Sequence, residues 1–443
     1  MEKRKYGLFT AIAMITGIVI GSGIFFKSDN ILVWTGGSVR DGVLVFVVAA
    51  IAIIFGSLSI SQLATMTDKP GGIITYAEEF CSVPVSCAFG WFQTMAYMPS
   101  ITAVVAWVGG IYTCILFNFP NTLENQVLFG MGYIALLFLF NVLSAKLGGF
   151  IQNGTTIIKL IPLFVIAAAG LVAGDPVQTF TRAPSGAGVP GLMSAIPAIA
   201  FSFDGWAIST SICHEIKDSK KNLPRALVIS PLIILLAYVL YFVGISNLVG
   251  PQRIMEMGDE HVSYAATLLF GGGGAKLMLV FVLVSILGTV NGLILGAIRL
   301  PYALGIRNMI PGSDFLKKEN HKLGDMPVNS AVFAFLVTLV WLGLHYVTQK
   351  YQLLPNSDVS EISIVTNYLG YIMLYAAVIR LARRGEIKSI WKGYVVPVCA
   401  TVGALIILMG GLQNPLFGAY LLFCIAVIAA AVFYAVTNKA RIA

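Results

Sequence analysis

Apolar segments long enough to cross a lipid bilayer recur along almost the whole chain of 443 residues. A bilayer core about 30 Å thick needs roughly 20 apolar residues in one helix. That length predicts twelve spans, at 7–34, 42–66, 84–117, 125–144, 154–174, 190–214, 226–249, 276–304, 327–346, 361–382, 393–411 and 415–437. The connections between them are too short for a soluble domain. We therefore predict an all-α integral membrane protein that forms a single domain over 1–443.

The composition excludes several other classes of protein. Hydrophobic residues make up 58% of the chain and charged residues 11%, whereas a soluble domain carries about 25% charged residues. The net charge of +8 is not gathered on a polar domain, so we expect no nucleic-acid partner. The six cysteines show no C-x-x-C spacing. Without a phosphate-binding loop, a metal-ligand cluster or a nucleophile arrangement, the sequence predicts no enzyme, no cofactor and no metal.

The basic residues predict the orientation in the membrane. With the N-terminus inside, 21 of the 28 Lys and Arg residues face the cytoplasm, 6 face outward, and Lys159 lies within a span. Basic residues accumulate in cytoplasmic loops. We therefore predict a multi-pass protein of the cell membrane with both termini in the cytoplasm.

Two of the predicted spans are interrupted near the middle of the membrane. The first contains Gly21-Ser22-Gly23, and the sixth contains Ser202-Phe203-Asp204-Gly205. The sixth span comes five spans after the first, and because five is odd, the two halves of the chain would insert in opposite orientations. That pattern is typical of inverted-repeat transporters, whose substrate binds between discontinuous helices. We predict repeats over 7–174 and 190–382, followed by two extra helices within 393–437.

The first interruption offers partners for both ends of an amino acid. If the helix unwinds here, the amides at 22–24 open a second half-helix, whose positive end suits a carboxylate. The carbonyls near Val19 close the preceding half-helix and suit an ammonium group. The alternative is plain helix packing, because Gly17 and Gly21 form a G-x-x-x-G pair.

The second interruption contains an acidic residue. A charge at the bilayer centre costs roughly 2.5–3.5 kcal/mol on insertion scales, so Asp204 needs a stabilising partner. We predict that it caps a half-helix beginning at Gly205. Phe201 and Ser202 would then end the first half-helix and expose their carbonyls. The alternative is an aspartate paired elsewhere in a continuous helix.

Lys159 and two tyrosines are further candidates. Lys159 lies about six residues, or roughly 9 Å, from the cytoplasmic end of the fifth span. It could extend to the headgroups, or its ammonium could lie beside the carbonyls of the broken first helix and exchange a proton. Tyr238 and Tyr241 share a face of the seventh span, where packing is the alternative to a functional role.

Three groups of motifs together resemble the amino acid–polyamine–organocation superfamily. Its first-helix signature resembles Ile20-Gly21-Ser22-Gly23-Ile24-Phe25. Its sixth helix and following loop resemble Phe201-Ser202-Phe203-Asp204-Gly205-Trp206, Glu215-Ile216-Lys217 and Lys221-Asn222-Leu223-Pro224-Arg225-Ala226. The eighth span of its L-amino-acid transporter branch is similar to Val290-Asn291-Gly292, Arg299-Leu300 and Gly305-Ile306-Arg307. The resemblance covers both predicted repeats.

This resemblance implies a LeuT-like fold of five plus five spans with helices 1 and 6 discontinuous. It implies an amino acid whose carboxylate meets amides and whose amino group meets carbonyls, with a gating phenylalanine, a lysine in place of sodium, and a nearby tyrosine. The residues that carry this substrate site are predicted to be Val19, Gly21, Ser22, Gly23, Ile24, Phe201 (the gate), Ser202, Asp204 and Tyr241, with Lys159 as the substitute for the cation.

Two departures from the family pattern narrow the range of expected substrates and partners. Ala207 stands where members that carry large neutral amino acids often have Asn. The stretch 117–124 lacks the cysteine that joins human-type members to a glycoprotein subunit, so we expect no such partner. We predict a sodium-independent exchanger of alanine, serine, cysteine or glycine in the lipid bilayer. The alternatives are a proton-coupled amino acid symporter and an amino-acid sensor or channel without coupled turnover.

Overall fold

The described part of the chain is nearly all helical. The computed structural model describes residues 7–21, 23–67, 69, 72–143, 158–173, 175–181, 188–207 and 216–442. Within these ranges there is no strand, and an isolated antiparallel bridge joins Asn320 and Met326. The structure therefore confirms the predicted all-α class.

Eighteen helices occur in the described ranges. They are α1 Leu8–Val19, α2 Gly23–Trp34, α3 Val39–Ala64, α4 Ile73–Phe80, α5 Val83–Phe117, α6 Leu123–Leu143, α7 Leu160–Val172, α8 Pro176–Thr181, α9 Gly188–Ser202, α10 Ser219–Val249, α11 Pro251–Met257, α12 His261–Ile306, α13 Ser313–Leu316, α14 Val328–Lys350, α15 Val359–Arg383, α16 Trp391–Gly411, α17 Phe417–Thr437 and α18 Lys439–Ile442. Short 3₁₀ turns at Gly258–Glu260 and His321–Leu323 join some of them.

The predicted spans match these helices closely, with one instructive difference in the eighth span. The first span is two half-helices, α1 and α2, as the Gly-Ser-Gly interruption predicts. The eighth span is only part of the longer α12, which bends at Gly271, where φ is +66°. In the described part, nine helical segments are long and apolar enough to cross a membrane. The shorter apolar helices α1, α7 and α9 lie where three further spans are predicted.

A π-helical segment interrupts α5 at Gln93–Tyr97. Such wide turns change the direction in which the following side chains point and often occur at functional sites. Its groups are bonded to neighbouring helices: Gln93 donates to Asn367 Oδ1 at 3.0 Å, and Trp341 donates to the Met95 carbonyl at 2.7 Å. The last residue of this segment, Tyr97, points to the second helix break.

Small residues bring α7 and α10 into close contact. A Cβ atom added to Gly170 of α7 would overlap the backbone of Gly244 in α10. Asn247 donates to the Gly170 carbonyl at 2.5 Å beside this contact. Close backbone approach at small residues and interhelical hydrogen bonds are the usual means of helix association in membranes. Because α10 also packs against α1, α10 links α7 to the broken first span.

Candidate functional site

The first span is broken where the Gly-Ser-Gly motif predicts. Helix α1 ends at Val19, and Ile20 is extended with φ −67° and ψ 105°. Helix α2 begins at Gly23, and Ile24 is fully buried in its first turn. Ser22, which is predicted to bind the substrate carboxylate, lies outside the described residues. The break therefore places the end of one helix opposite the start of another in the protein interior.

The sixth span is also broken. Helix α9 ends at Ser202, and residues 203–207 form a turn in which Gly205 has φ +97°. This left-handed region favours glycine because it has no Cβ atom. The Tyr97 hydroxyl donates to the Asp204 carboxylate, 2.6 Å from one oxygen and 2.7 Å from the other. The half-helix that Asp204 is predicted to cap does not begin at Gly205, because 205–207 belong to this turn. Residues 208–215, which follow, lie outside the described residues.

The two breaks are in direct contact at Gly23. A Cβ atom added there would lie 2.9 Å from the Cα atom of Ser202 and 3.1 Å from the Phe201 ring. Gly21 instead faces a side chain, because its added Cβ would lie 2.9 Å from the Thr289 hydroxyl of α12. A side chain at position 23 would therefore push the two broken helices apart.

Tyr238, and not Tyr241, reaches the two breaks. The Tyr238 hydroxyl lies 3.2 Å from the Val19 carbonyl and 2.9 Å from the Ser202 carbonyl. One hydroxyl donates one hydrogen, so the two carbonyls keep capacity for a further donor. Tyr241 is buried against Phe25, with ring centroids 5.4 Å apart. The structure thus places the predicted substrate tyrosine elsewhere, because α10 turns Tyr238 toward the breaks.

Lys159 immediately precedes α7 and is only 1% exposed. Its ammonium donates to the carbonyl of Gly17, in the last turns of α1. This contact places the charge at the carbonyl end of the broken first helix, as one of the two sequence-based interpretations predicts. A side chain directed to the headgroups would be exposed, and this one is buried.

A cavity of about 240 Å³ lies between the two breaks. Seven of the ten predicted site residues line it, whereas Ile24 and Tyr241 do not. Its lining is Val19, Gly21, Gly23, Tyr97, Ile101, Val105, Lys159, Phe201, Ser202, Asp204, Gly205, Thr289, Gly292, Leu293, Leu295, Gly296 and Arg299. Ligand pockets for drug-sized molecules measure about 300–1,000 Å³. This cavity therefore suits a ligand smaller than a drug-sized molecule.

Sequence reasoning missed Tyr97 and Thr289 as parts of this site. Tyr97 stands on α5 and reaches Asp204 only through the π-helical segment, which apolar periodicity does not reveal. Thr289 directly precedes the Val290-Asn291-Gly292 motif, so that motif was a usable signal for a helix that approaches the first break.

A family model described as amino acid permease matches residues 6–441 of the chain. The chain belongs to this family. It is 32% identical over 399 residues to the serine/threonine exchanger SteT of Bacillus subtilis, which covers 89% of this chain and 87% of that protein. It is 24% identical over 449 residues to the mouse b(0,+)-type amino acid transporter 1, covering 98% and 87% of the two chains. These relatives confirm the resemblance to the L-amino-acid transporter branch.

A solved structure supports the fold. The crystal structure of MhsT in complex with L-phenylalanine matches 94% of this chain and 100% of that chain, with a TM-score of 0.62 and 14% identity. Identity this low shows the fold alone, and it confirms the LeuT-like architecture. The chain is thus a multi-pass membrane protein of an amino acid transporter family.

Proposed function

We propose that the protein is a sodium-independent exchanger of small neutral L-amino acids that works by alternating access. The observation that carries this proposal is the buried ammonium of Lys159 at the Gly17 carbonyl, beside a cavity lined by both helix breaks. The family match and the exchanger among the relatives give further support.

The substrate carboxylate binds at the start of α2 in this proposal. We assign it to the amides of Ser22, Gly23 and Ile24, as the sequence predicts, because α2 begins at Gly23 and a helix N-terminus carries partial positive charge. Gly23 leaves room for close approach because any side chain there meets Ser202. The amino group binds at the carbonyls of Val19 and Ser202, which share the single hydrogen of Tyr238. A zwitterion satisfies both helix ends at once.

The Lys159 ammonium takes the place of a coupling sodium ion. It occupies the carbonyl end of α1, where a cation would otherwise bind. Two unit charges 4 Å apart repel by about 4 kcal/mol at an effective dielectric constant of 20. That repulsion would exclude sodium nearly a thousandfold, so transport should not depend on sodium.

The walls of the cavity favour a short substrate side chain. Phe201 is one wall, and Ile101, Val105 and Leu293 fill others. Ala207 beside the second break is buried and brings no hydrogen-bonding side chain for a larger substrate. We therefore propose alanine, serine, cysteine and glycine as substrates, ahead of leucine and phenylalanine.

The proposed membrane orientation follows from the placement of charged residues, and the proposed absence of a glycoprotein subunit follows from the placement of a cysteine. Most Lys and Arg residues lie in loops on the side of the membrane where the N-terminus is predicted. This excess supports a cell-membrane protein with both termini in the cytoplasm. Cys114 is fully buried within α5. That position supports transport without a disulfide-linked glycoprotein subunit.

Purified protein in liposomes distinguishes the three candidate functions. An exchanger takes up labelled L-alanine only when unlabelled alanine is present inside, and replacing sodium by choline changes nothing. A proton-coupled symporter accumulates alanine into empty liposomes in response to a pH gradient. A sensor binds alanine and shows neither behaviour. Uptake of labelled alanine into empty liposomes without a proton or sodium gradient would indicate a channel and reject the proposal.

A further inference from the structure

Asp29, in the middle of α2, and His261, the first residue of α12, are both buried beside Gly258. Asp29 is 9% exposed and His261 is 0% exposed. His261 Nδ1 lies 2.6 Å from the Gly258 carbonyl oxygen, and a Cβ atom added at Gly258 would lie 3.8 Å from Asp29 Oδ2. Asp29 and His261 are close enough for the charge of one to act on the other. We call these two residues the Asp29–His261 pair.

The contact of His261 with Gly258 fixes which ring nitrogen carries the hydrogen. A carbonyl oxygen only accepts, so Nδ1 donates to it, and Nε2 of the neutral ring is left as an acceptor. His261 Nε2 and Asp29 Oδ1 are both buried and have no hydrogen-bond partner among the described residues. The pair therefore has two buried acceptor atoms and no hydrogen to place between them. A buried carboxylate without a partner is costly.

The surrounding groups do not neutralise this carboxylate. The other titratable or charged side chains around the pair are Lys27 of α2, Tyr112 of α5, Tyr241 of α10, and Asp259 and Glu260 of the turn before α12. The Lys27 ammonium is already paired with Asp358 and Glu361. The two acids of the turn are partly or fully exposed, and so are Arg253 and Glu256 of α11, so water hydrates them. Among the described residues, the carboxylate of the pair is thus a buried anion without a cation of its own.

One proton satisfies both acceptor atoms at once. Bound between Asp29 Oδ1 and His261 Nε2, it supplies the missing hydrogen and removes the negative charge of the pair. Two groups that interact this closely titrate as a unit, so the proton belongs to the pair and not to either residue. It is taken up from water and returned to water, and no other bond changes.

We propose that the Asp29–His261 pair is a proton-binding site on the predicted outer side of the protein. It lies six residues, or about 9 Å, beyond Gly23 along α2 and belongs to neither helix break. The proton joins α2 to the turn before α12, so it stabilises the arrangement in which these two are packed together. External alanine passes α2 on its way to the cavity, so external acid weakens its binding from outside. This inference rests on the proposed exchange function, and the proton regulates exchange without being transported.

Asp29→Asn imitates the protonated pair. Its amide has the size of the carboxylate and supplies the hydrogen that His261 Nε2 accepts, so this variant needs no proton. His261→Gln is the second variant, because its amide donates to Asp29 and removes the titrating ring. Glu260→Gln is the matched control, since it removes an exposed carboxylate from the same turn. Asp259→Asn tests whether the neighbouring acid holds the proton instead.

The first measurement is the half-life of the folded, detergent-solubilised protein at one fixed temperature. An unfolded chain releases the histidine proton above about pH 6.5, whereas the folded pair keeps it to higher pH. The folded protein then binds more protons than the unfolded chain, so the stability of the wild type falls as pH rises. We expect the half-life of Asp29→Asn, relative to wild type, to be at least fivefold longer at about pH 8.5 than at about pH 6. Glu260→Gln should keep a constant ratio.

Three results of this measurement would overturn the proposal. The first is a ratio for Asp29→Asn and for His261→Gln that does not change with pH. The second is a pH response that disappears in Asp259→Asn, because the proton would then be bound by that acid. The third is a wild-type half-life that depends on the sodium or potassium concentration at about pH 8.5 and not on pH, because a metal cation would then occupy the site.

The second measurement is the external half-saturation constant for labelled L-alanine in oriented proteoliposomes with a constant internal pH. Apparent affinity follows the population of the competent state, so in the wild type we expect this constant to rise at least threefold from about pH 8.5 to about pH 6 outside. It should not change in Asp29→Asn. An equal rise in both proteins would overturn the proposal. So would alanine uptake into empty liposomes that a proton gradient drives in the wild type and not in Asp29→Asn, because the proton would then be transported.

Failure of this proposal and failure of the proposed function give different results. If the wild type exchanges no alanine, the exchanger assignment is rejected. The half-life measurement needs no transport and still decides whether the Asp29–His261 pair binds a proton.

Discussion

Two buried lysines flank the cavity, and they are held by different kinds of partner. Lys159 donates to one backbone carbonyl, that of Gly17. Lys27 lies between two carboxylates, Asp358 and Glu361. The described residues place no carboxylate within salt-bridge distance of Lys159. One ammonium is therefore stabilised by a helix dipole and the other by formal negative charges.

This difference in partners indicates which lysine can lie at a site whose occupant changes during transport. Carbonyls at a helix end can accept a different cation or a substrate ammonium without leaving a buried anion behind. Removing Lys27 leaves two such anions. Lys159 thus suits a position that the substrate approaches in every transport cycle. The three charges of Lys27, Asp358 and Glu361 must instead be either paired with one another or hydrated.

The largest expected effect comes from the same substitution at both lysines. Lys27→Met should lower stability by about 3–5 kcal/mol, the usual cost of breaking a buried ion pair on one side. Lys159→Met leaves only a neutral carbonyl without its donor, so the loss should be at most about 1–3 kcal/mol. Heat resistance of the detergent-solubilised proteins, followed by gel filtration, measures both. Equal losses would show that the two lysines are not held by different chemistry.

A substitution between the two lysines should affect both sides of the membrane alike. Gly23→Val places a branched side chain against the Ser202 backbone, 2.9 Å from its Cα. We expect loss of L-alanine binding, at least a hundredfold, with the protein still folded. Gly343→Val on α14 is the control, because an added Cβ atom there meets nothing within 4 Å. Unchanged alanine affinity in Gly23→Val would remove the assignment of the carboxylate to the start of α2.

Lys159→Ala should act mainly from one side. It leaves the Gly17 carbonyl without its donor on the side of α1, which is the predicted cytoplasmic side. We expect internal alanine affinity to weaken about tenfold, roughly 1.4 kcal/mol, and external affinity to change much less. Exchange in the wild type should be the same in sodium and in choline. Near-wild-type constants on both sides of Lys159→Ala would reject its role.

The spans and both breaks were predictable because they depend on local sequence. Apolar length gave the helices, and Gly21 and Gly23 marked the unwound turn. Tyr97 was not predictable, because a π-helical segment decides where it points. Lys27 lies inside the first predicted span, yet the charge count grouped it with outward-facing residues. Its partners are 331 and 334 residues away, and only the fold brings them together.

The smallest expected effect separates the two tyrosines of α10, which spacing alone could not. Tyr238→Phe removes the hydrogen that the Val19 and Ser202 carbonyls share. A hydrogen bond of this kind contributes about 0.5–1.5 kcal/mol net, so heat resistance should fall slightly and the half-saturation constant for alanine should rise several-fold. The Tyr241 hydroxyl is buried without a hydrogen-bond partner among the described residues. Tyr241→Phe should therefore leave transport unchanged and stability equal or higher. If Tyr241→Phe impaired exchange and Tyr238→Phe did not, the substrate tyrosine would be Tyr241, as the sequence predicts. The contacts of Tyr238 with both breaks would then have no part in binding.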